Sequence, residues 1–185
     1  LAVYLHAEDI TWQLQYDAKS LPAAPWAATG TPKATIEADG LRLTDDDKAF
    51  ANFRAAWKPI ADEEIIVEVV AKVLATTGSQ KNKTSASLWP WRDGAPESVL
   101  VSDGRHQEGL VLFANQAASH TDRFIPMDTT NRFHTYRLII RGTDMEMWVD
   151  GVKKVEGQGA FWKPADSTEA FIQFGSSAKT ATGEA

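Results

Sequence analysis

The sequence predicts an all-β fold, an antiparallel β-sandwich, and three features carry that reading. From Phe133 to Val155, tight turns separate consecutive runs in which apolar and polar residues alternate. Glu64 to Leu74 is a longer run of the same kind. Short strand-like segments then recur through the rest of the chain with turn residues between them, and no stretch carries a convincing helical period. A period of two is what a half-buried strand imposes, because successive side chains point to opposite faces. Short strands without intervening helices favour a sandwich or barrel over βαβ units. A length of 185 residues, 43% of them hydrophobic, suits a single domain with a substantial core.

Taken in order, Ala2–Ala7 and Thr11–Tyr16 read as one or two short strands, and the Pro/Ala/Gly-rich stretch from Leu21 to Pro32 reads as loop. Lys33–Glu37 and Leu41–Thr44 flank Ala38-Asp39-Gly40, a hairpin signal. Asp45-Asp46-Asp47 reads as a solvated acidic turn; adjacent residues alternate faces, so their carboxylates do not converge on one ion. Phe50–Arg54 continues as strand. In Glu64–Leu74 the odd positions Ile65, Val67, Val69, Ala71 and Val73 form the apolar face, and Glu64, Glu68 and Lys72 lie on the other. Thr76–Thr84 reads as an exposed loop. Further strands are expected near Ser85–Trp89, Ser98–Ser102, Gly109–Phe113, Tyr136–Arg141, Met145–Val149, Val152–Glu156 and Ala170–Phe174. The strongest local signal is Asp150-Gly151 between two of these runs, because a type I′ hairpin needs positive φ twice. Ser176–Ala185 reads as a flexible tail.

The pattern Phe133-His-Thr-Tyr-Arg137, a strand, then Trp148-Val-Asp-Gly-Val-Lys153 resembles a hairpin of the concanavalin A-like lectin/glucanase superfamily, in its laminin G-like branch. Glu64–Val73 is similar to that family's long central strand. Ala86–Gly94, with its Trp-Pro-Trp-Arg-Asp, leading to Ser102–Gly109, also fits. The resemblance covers most of the chain and implies a jelly roll that binds at the ends of the sandwich or on its concave sheet. It implies a lectin, an adhesion module, a hydrolase or a lyase, since one sandwich hosts all four. It further implies export, to a secreted, periplasmic or cell-surface location. Family members run on into another aromatic strand, and the first residue here is Leu, so a mature or internal piece of a longer protein is expected.

Several classes of function are disfavoured. Net charge is −6 with both signs interspersed, which does not supply the basic stripe of a nucleic-acid surface. The absence of cysteine excludes disulfides, thiolate chemistry and Cys-type zinc sites. No run approaches 18 apolar residues, so no membrane insertion by a helix is expected. No cofactor is indicated, and calcium stays open. Asn82-Lys-Thr84 is a glycosylation sequon of a length that recurs by chance. Nucleophile-elbow, zincin and P-loop motifs are absent. The nearest carboxylate pair on one strand face is Glu64 and Glu68, about 13 Å apart along a strand. A retaining glycosidase needs about 5–5.5 Å, so these read as two solvated charges. The family's lyases use a Gln-x-His strand motif with Arg and Tyr. Arg105-His-Gln-Glu108, with Tyr136 and Arg137 elsewhere, departs from that order and spacing.

Aromatic residues are the better lead. There are 7 Trp, and sugar rings present flat C–H faces that stack on aromatic planes. The expectation is therefore a non-catalytic, lectin-like carbohydrate-binding domain of an exported bacterial protein, with a glycan or polysaccharide as partner. Trp89, Trp91, Arg92, Asp93, Arg105, His106 and Glu108 would form its ligand-binding set. The alternative is a polysaccharide hydrolase or lyase on the same scaffold, with His106 and Glu108 as its acid/base candidates. His134, Trp57 and Trp148 read as scaffold, and Trp162 as a loop-tip aromatic. The oligomeric state is not legible.

Overall fold

The computed structural model describes residues 10–46, 51–76, 97–119, 124–161, 168–176 and 182–184, and every regular element in them is a strand. In chain order these are β1 (Ala27–Thr29), β2 (Lys33–Glu37), β3 (Gly40–Asp46), β4 (Ala51–Ala56), β5 (Ile65–Ala71), β6 (Ala75–Thr76), β7 (Glu97–Asp103) and β8 (Gln107–Phe113). They continue with β9 (Gln116–Ser119), β10 (Phe124–Pro126), β11 (His134–Arg141), β12 (Asp144–Val149), β13 (Val152–Gly157), β14 (Ala170–Ser176) and β15 (Thr182–Glu184). A seven-stranded sheet runs β1-β4-β14-β7-β8-β9-β10, and a four-stranded sheet runs β13-β12-β11-β5. A second four-stranded sheet, β2-β3-β15-β6, completes the architecture. All pairings are antiparallel.

The core forms between the large sheet and β13-β12-β11-β5. Val99 and Val101 on β7, Leu110 and Leu112 on β8, and Ala117 and Ile125 on β9 and β10 meet Tyr136, Leu138, Ile140, Met145, Met147 and Val149 from β11 and β12. The odd residues of β5 join them, as its alternation predicts: Val67 is buried, and Ile65, Val69 and Ala71 pack against the cluster. Burying this much apolar surface is the main force that closes the sandwich.

The turns of the β11–β12–β13 unit follow their sequences. Asp150 and Gly151 both have positive φ, 50° and 76°, as a type I′ turn requires. At the β11–β12 turn only Gly142, the first central residue, has positive φ, 60°, the pattern of a type II′ turn. Asp150 also ties this turn to the loop before β11. Its carboxylate accepts from the Thr135 N–H at 3.0 Å, from Arg132 at 2.7 Å and from His134 Nδ1 at 2.8 Å. His134 Nε2 in turn faces the Asp128 carbonyl and Asn131 Oδ1 at 3.1 and 3.0 Å. With only 5% of its surface exposed, His134 is a packed structural residue.

Four local expectations are corrected. Thr11–Tyr16 is not a strand; Trp12, Leu14 and Tyr16 are half-buried and the residues between them exposed, but no ladder forms. Tyr16 instead stacks on Phe174, with ring centroids 5.5 Å apart, and Trp26 meets the same ring at 5.1 Å. The stretch Leu21–Pro32 contains β1, the edge of the large sheet. Asp45 and Asp46 extend β3 rather than forming a turn, and the tail contributes β15, which pairs with β3 and β6. The expected strands Ala2–Ala7 and Ser85–Trp89 lie outside the described residues, as do Asp47 and Trp162.

Candidate functional site

The large sheet has an outer face, turned away from the core, and strand register assigns its residues. Val101 and Leu110 point inward, so their neighbours Leu100, Ser102, Gly109 and Val111 point outward. On β4 and β14 the outward positions are Asn52, Arg54 and Ala56 and, across from them, Gly175, Gln173 and Phe171. On β8 they are Gln107, Gly109, Val111 and Phe113, all buried, so this strand is covered on both faces. Val111 and Phe113 form a small apolar cluster with Phe124 there.

The more open part of the face lies over β4 and β14. The Arg54 guanidinium sits over the Phe171 ring, 3.5 Å from its centroid, and its Nη2 is 3.5 Å from Glu169 Oε2. Stacking of this kind fixes the plane of the guanidinium while its edge still reaches solvent. Gln173 lies directly across from Arg54 and is half-buried. Phe171 itself is buried, so what this part of the face offers a ligand is the stacked guanidinium of Arg54 beside the amide of Gln173, donors suited to hydroxyl groups. Sequence reasoning missed Arg54, Phe171 and Gln173. Their alternation with Phe53, Ala55, Ile172 and Phe174 is a readable signal, but it reports a solvent face and not a ligand.

Trp89, Trp91, Arg92 and Asp93 lie outside the described residues. Arg105 and His106 occupy the β7–β8 hairpin, which Asp103 organises: its Oδ1 accepts both backbone N–H groups at 2.6 Å. Gly104 in this hairpin has φ +86°, and a Cβ there would meet the Thr168 carbonyl oxygen at 2.7 Å, so only glycine fits without movement. Arg105 is exposed, and the His106 ring meets the edge of the core residue Phe161 at 5.9 Å. Glu108 pairs in register with Val101 and so faces inward. It is fully enclosed, and its Oε1 accepts from the Gly109 N–H at 2.8 Å.

The other catalytic combinations suggested by the sequence do not assemble. Tyr136 and Arg137 are consecutive on β11 and point to opposite faces. Tyr136 is in the core, where burial, reinforced by the charge of Asp150, pushes its phenol well above the usual range. Arg137 is on the outer face, 2.6 Å from Glu68. Glu64 pairs with Arg141 at 2.8 Å. The two carboxylates thus serve separate ion pairs. Among the described residues no three His, Cys, Asp or Glu side chains gather as a metal site, and no helix is long and apolar enough to cross a membrane.

No protein-family model matches the sequence, and no curated protein sequence matches it. Solved structures do match in fold. A Crh5 transglycosylase in complex with NAG superposes with a TM-score of 0.58 at 15% identity, covering 91% of this chain and 78% of that one. The apo Crh5 transglycosylase gives 0.56 at 17% identity, covering 87% and 67%. A prokaryotic β-1,3-1,4-glucanase (lichenase) from a mouse hindgut metagenome gives 0.50 at 10% identity, covering 92% and 91%. The chain has the concanavalin A-like jelly-roll fold that its β11–β13 hairpins resemble. At these identities the likeness establishes architecture, and chemistry must be argued from the site.

Proposed function

We propose that this chain is a non-catalytic, lectin-like carbohydrate-binding domain that holds a glycan on the outer face of the large sheet around Arg54, Phe171 and Gln173. The observation that carries the proposal is the composition of that face. Among the described residues, the outward positions of β4 and β14 that reach solvent are Arg54, Ala56 and Gln173, a guanidinium, a methyl and an amide with no carboxylate among them. Glycoside hydrolysis needs two carboxyl groups flanking the bond, about 5–5.5 Å apart for retention or 6.5–9.5 Å for inversion. Glu169, just before β14, is paired with the Arg54 guanidinium at 3.5 Å. The solved structures with this fold supply the ligand class: one is a transglycosylase bound to NAG and another a β-1,3-1,4-glucanase. Trp89 and Trp91 as stacking residues, with Arg92, Asp93 and Arg105 near them, belong to the same proposal, as does an exported location.

The test is titration with N-acetylglucosamine oligomers and β-1,3-1,4-glucan oligomers. Arg54→Ala removes the stacked guanidinium and is expected to weaken binding roughly tenfold or more, equivalent to about 1.4 kcal/mol. Trp89→Ala and Trp91→Ala test the stacking pair in the same assay. Unchanged affinity in all three variants would place the site elsewhere.

A further inference from the structure

We propose a second sugar-binding site on the opposite side of the sandwich. It is a cleft on the outer face of β13-β12-β11-β5 that takes one uncharged pyranose unit. The cleft has a volume of about 440 Å³ and is lined by Ile139, Arg141, Asp144, Glu146, Glu156 and Gln158, among others. That size falls within the range of small-molecule sites. Register explains the lining: Ile139 lies across from Glu146, Glu146 from Glu156, and Arg141 from Asp144, so an apolar floor is ringed by polar groups from three strands. A bulge between Met147 and Trp148 shifts β13 against β12 and brings Lys153 opposite Trp148.

The polar groups of the cleft pair with one another and with neighbouring strands. Arg141 Nε lies 2.8 Å from Glu64, and its Nη1 lies 3.4 Å from Glu146. The Trp148 indole N–H donates to Glu146 Oε2 at 2.9 Å, and Lys153 reaches Glu146 at 3.2 Å and Glu156 at 3.4 Å. Carboxylates and guanidinium groups with fixed planes suit the paired hydroxyls of a sugar, whose C–H face can rest on Ile139.

Charge narrows the ligand further. Two cations, Arg141 and Lys153, stand among three carboxylates, Asp144, Glu146 and Glu156, so the cleft keeps a small net negative charge and disfavours phosphate, sulfate and uronate groups. A bound metal ion is disfavoured too. Glu146 is already surrounded by Trp148, Lys153 and Arg141, and the described residues hold no three-ligand group. An uncharged polyhydroxyl ligand remains. The geometry is independent of the Arg54 face, and the two sites share only their ligand class. Two sites on opposite faces would let one domain bridge two polysaccharide chains.

The experiment is amide chemical-shift mapping of the whole chain during titration with N-acetylglucosamine oligomers and β-1,3-1,4-glucan oligomers. Two separate sets of perturbed amides are expected, one on β4 and β14 and one spanning residues 139–146 and 156–158. The double substitution Glu156→Gln with Gln158→Ala is on and beside the edge strand β13. It should weaken the second set roughly tenfold and leave the first unchanged. An otherwise unaltered amide spectrum would establish that this variant is folded. Perturbation confined to β4 and β14 would overturn the second site and leave the first standing. No perturbation by either oligomer would overturn both. A cleft that responds to tetralysine but to neither sugar would overturn the ligand class.

Discussion

Leu138→Ala is expected to destabilise the protein by about 2–5 kcal/mol, the range for truncating a large aliphatic side chain in a packed core. Leu138 is 2% exposed at the middle of β11, with Met147 across from it on β12 and Val67 on β5. Both neighbours belong to the same buried cluster, and each is held by a ladder on its own strand, so neither can collapse freely into the space. Urea unfolding should show a lowered midpoint with an unchanged slope. In a thermal scan the melting temperature should fall by roughly 2–4 °C for each kcal/mol. A loss below about 1 kcal/mol would mean that β11 is not the centre of the core.

Asp150→Ala is expected to cost about 2–3 kcal/mol, because it removes charged hydrogen bonds to His134, Arg132 and the Thr135 N–H together. It also places alanine at a turn position with φ +50°, which aspartate tolerates better. The effect carries a pH signature. The carboxyl of Asp150 is held below the usual carboxylate range, first by the His134 hydrogen bond and then by the Thr135 N–H and the charges of His134 and Arg132, against partial desolvation. A carboxylate stabilised in the folded state contributes its full stability above its unfolded pKa, near 3.9, and loses it as pH falls through the lower folded value. The stability difference between the wild type and Asp150→Ala should therefore shrink as pH falls below about pH 4. A difference that stays constant down to pH 2 would show that the carboxylate's charge is not what holds the turn.

The parts of this fold that were legible in the sequence are those where burial and pairing coincide. In β11 and β12 every second residue enters the core, and the two-residue Gly142-Thr143 turn between them closes the Arg141–Asp144 pair. The misreadings fall where the two separate. Thr11–Tyr16 has a real period of two, because alternate side chains are half-buried, yet it forms no ladder. Periodicity reports which face is covered and says nothing about backbone hydrogen bonds. β1 shows the converse: all three residues are exposed, so an edge strand forms without any hydrophobic signal. The short β9 and β10 were hidden for a related reason, since a strand of three or four residues carries too few positions to show a period.

The site was less legible than the fold. Arg105, His106 and Glu108 are close in sequence, but the hairpin sends them to different places: one to solvent, one against Phe161, one between the sheets. Arg54 and Phe171 are far apart in the chain and meet only because β4 and β14 are neighbours in the large sheet. No local pattern encodes that contact.

The central claim is that the domain binds a glycan and leaves it intact. The most direct measurement is to saturate the purified protein with N-acetylglucosamine oligomers and with β-1,3-1,4-glucan oligomers by calorimetric titration, then recover the ligand after prolonged incubation and determine its mass. The expected result is saturable binding of at least one oligomer, recovered at its original length. Recovery of shortened or unsaturated products, or the absence of binding to either oligomer, would contradict it.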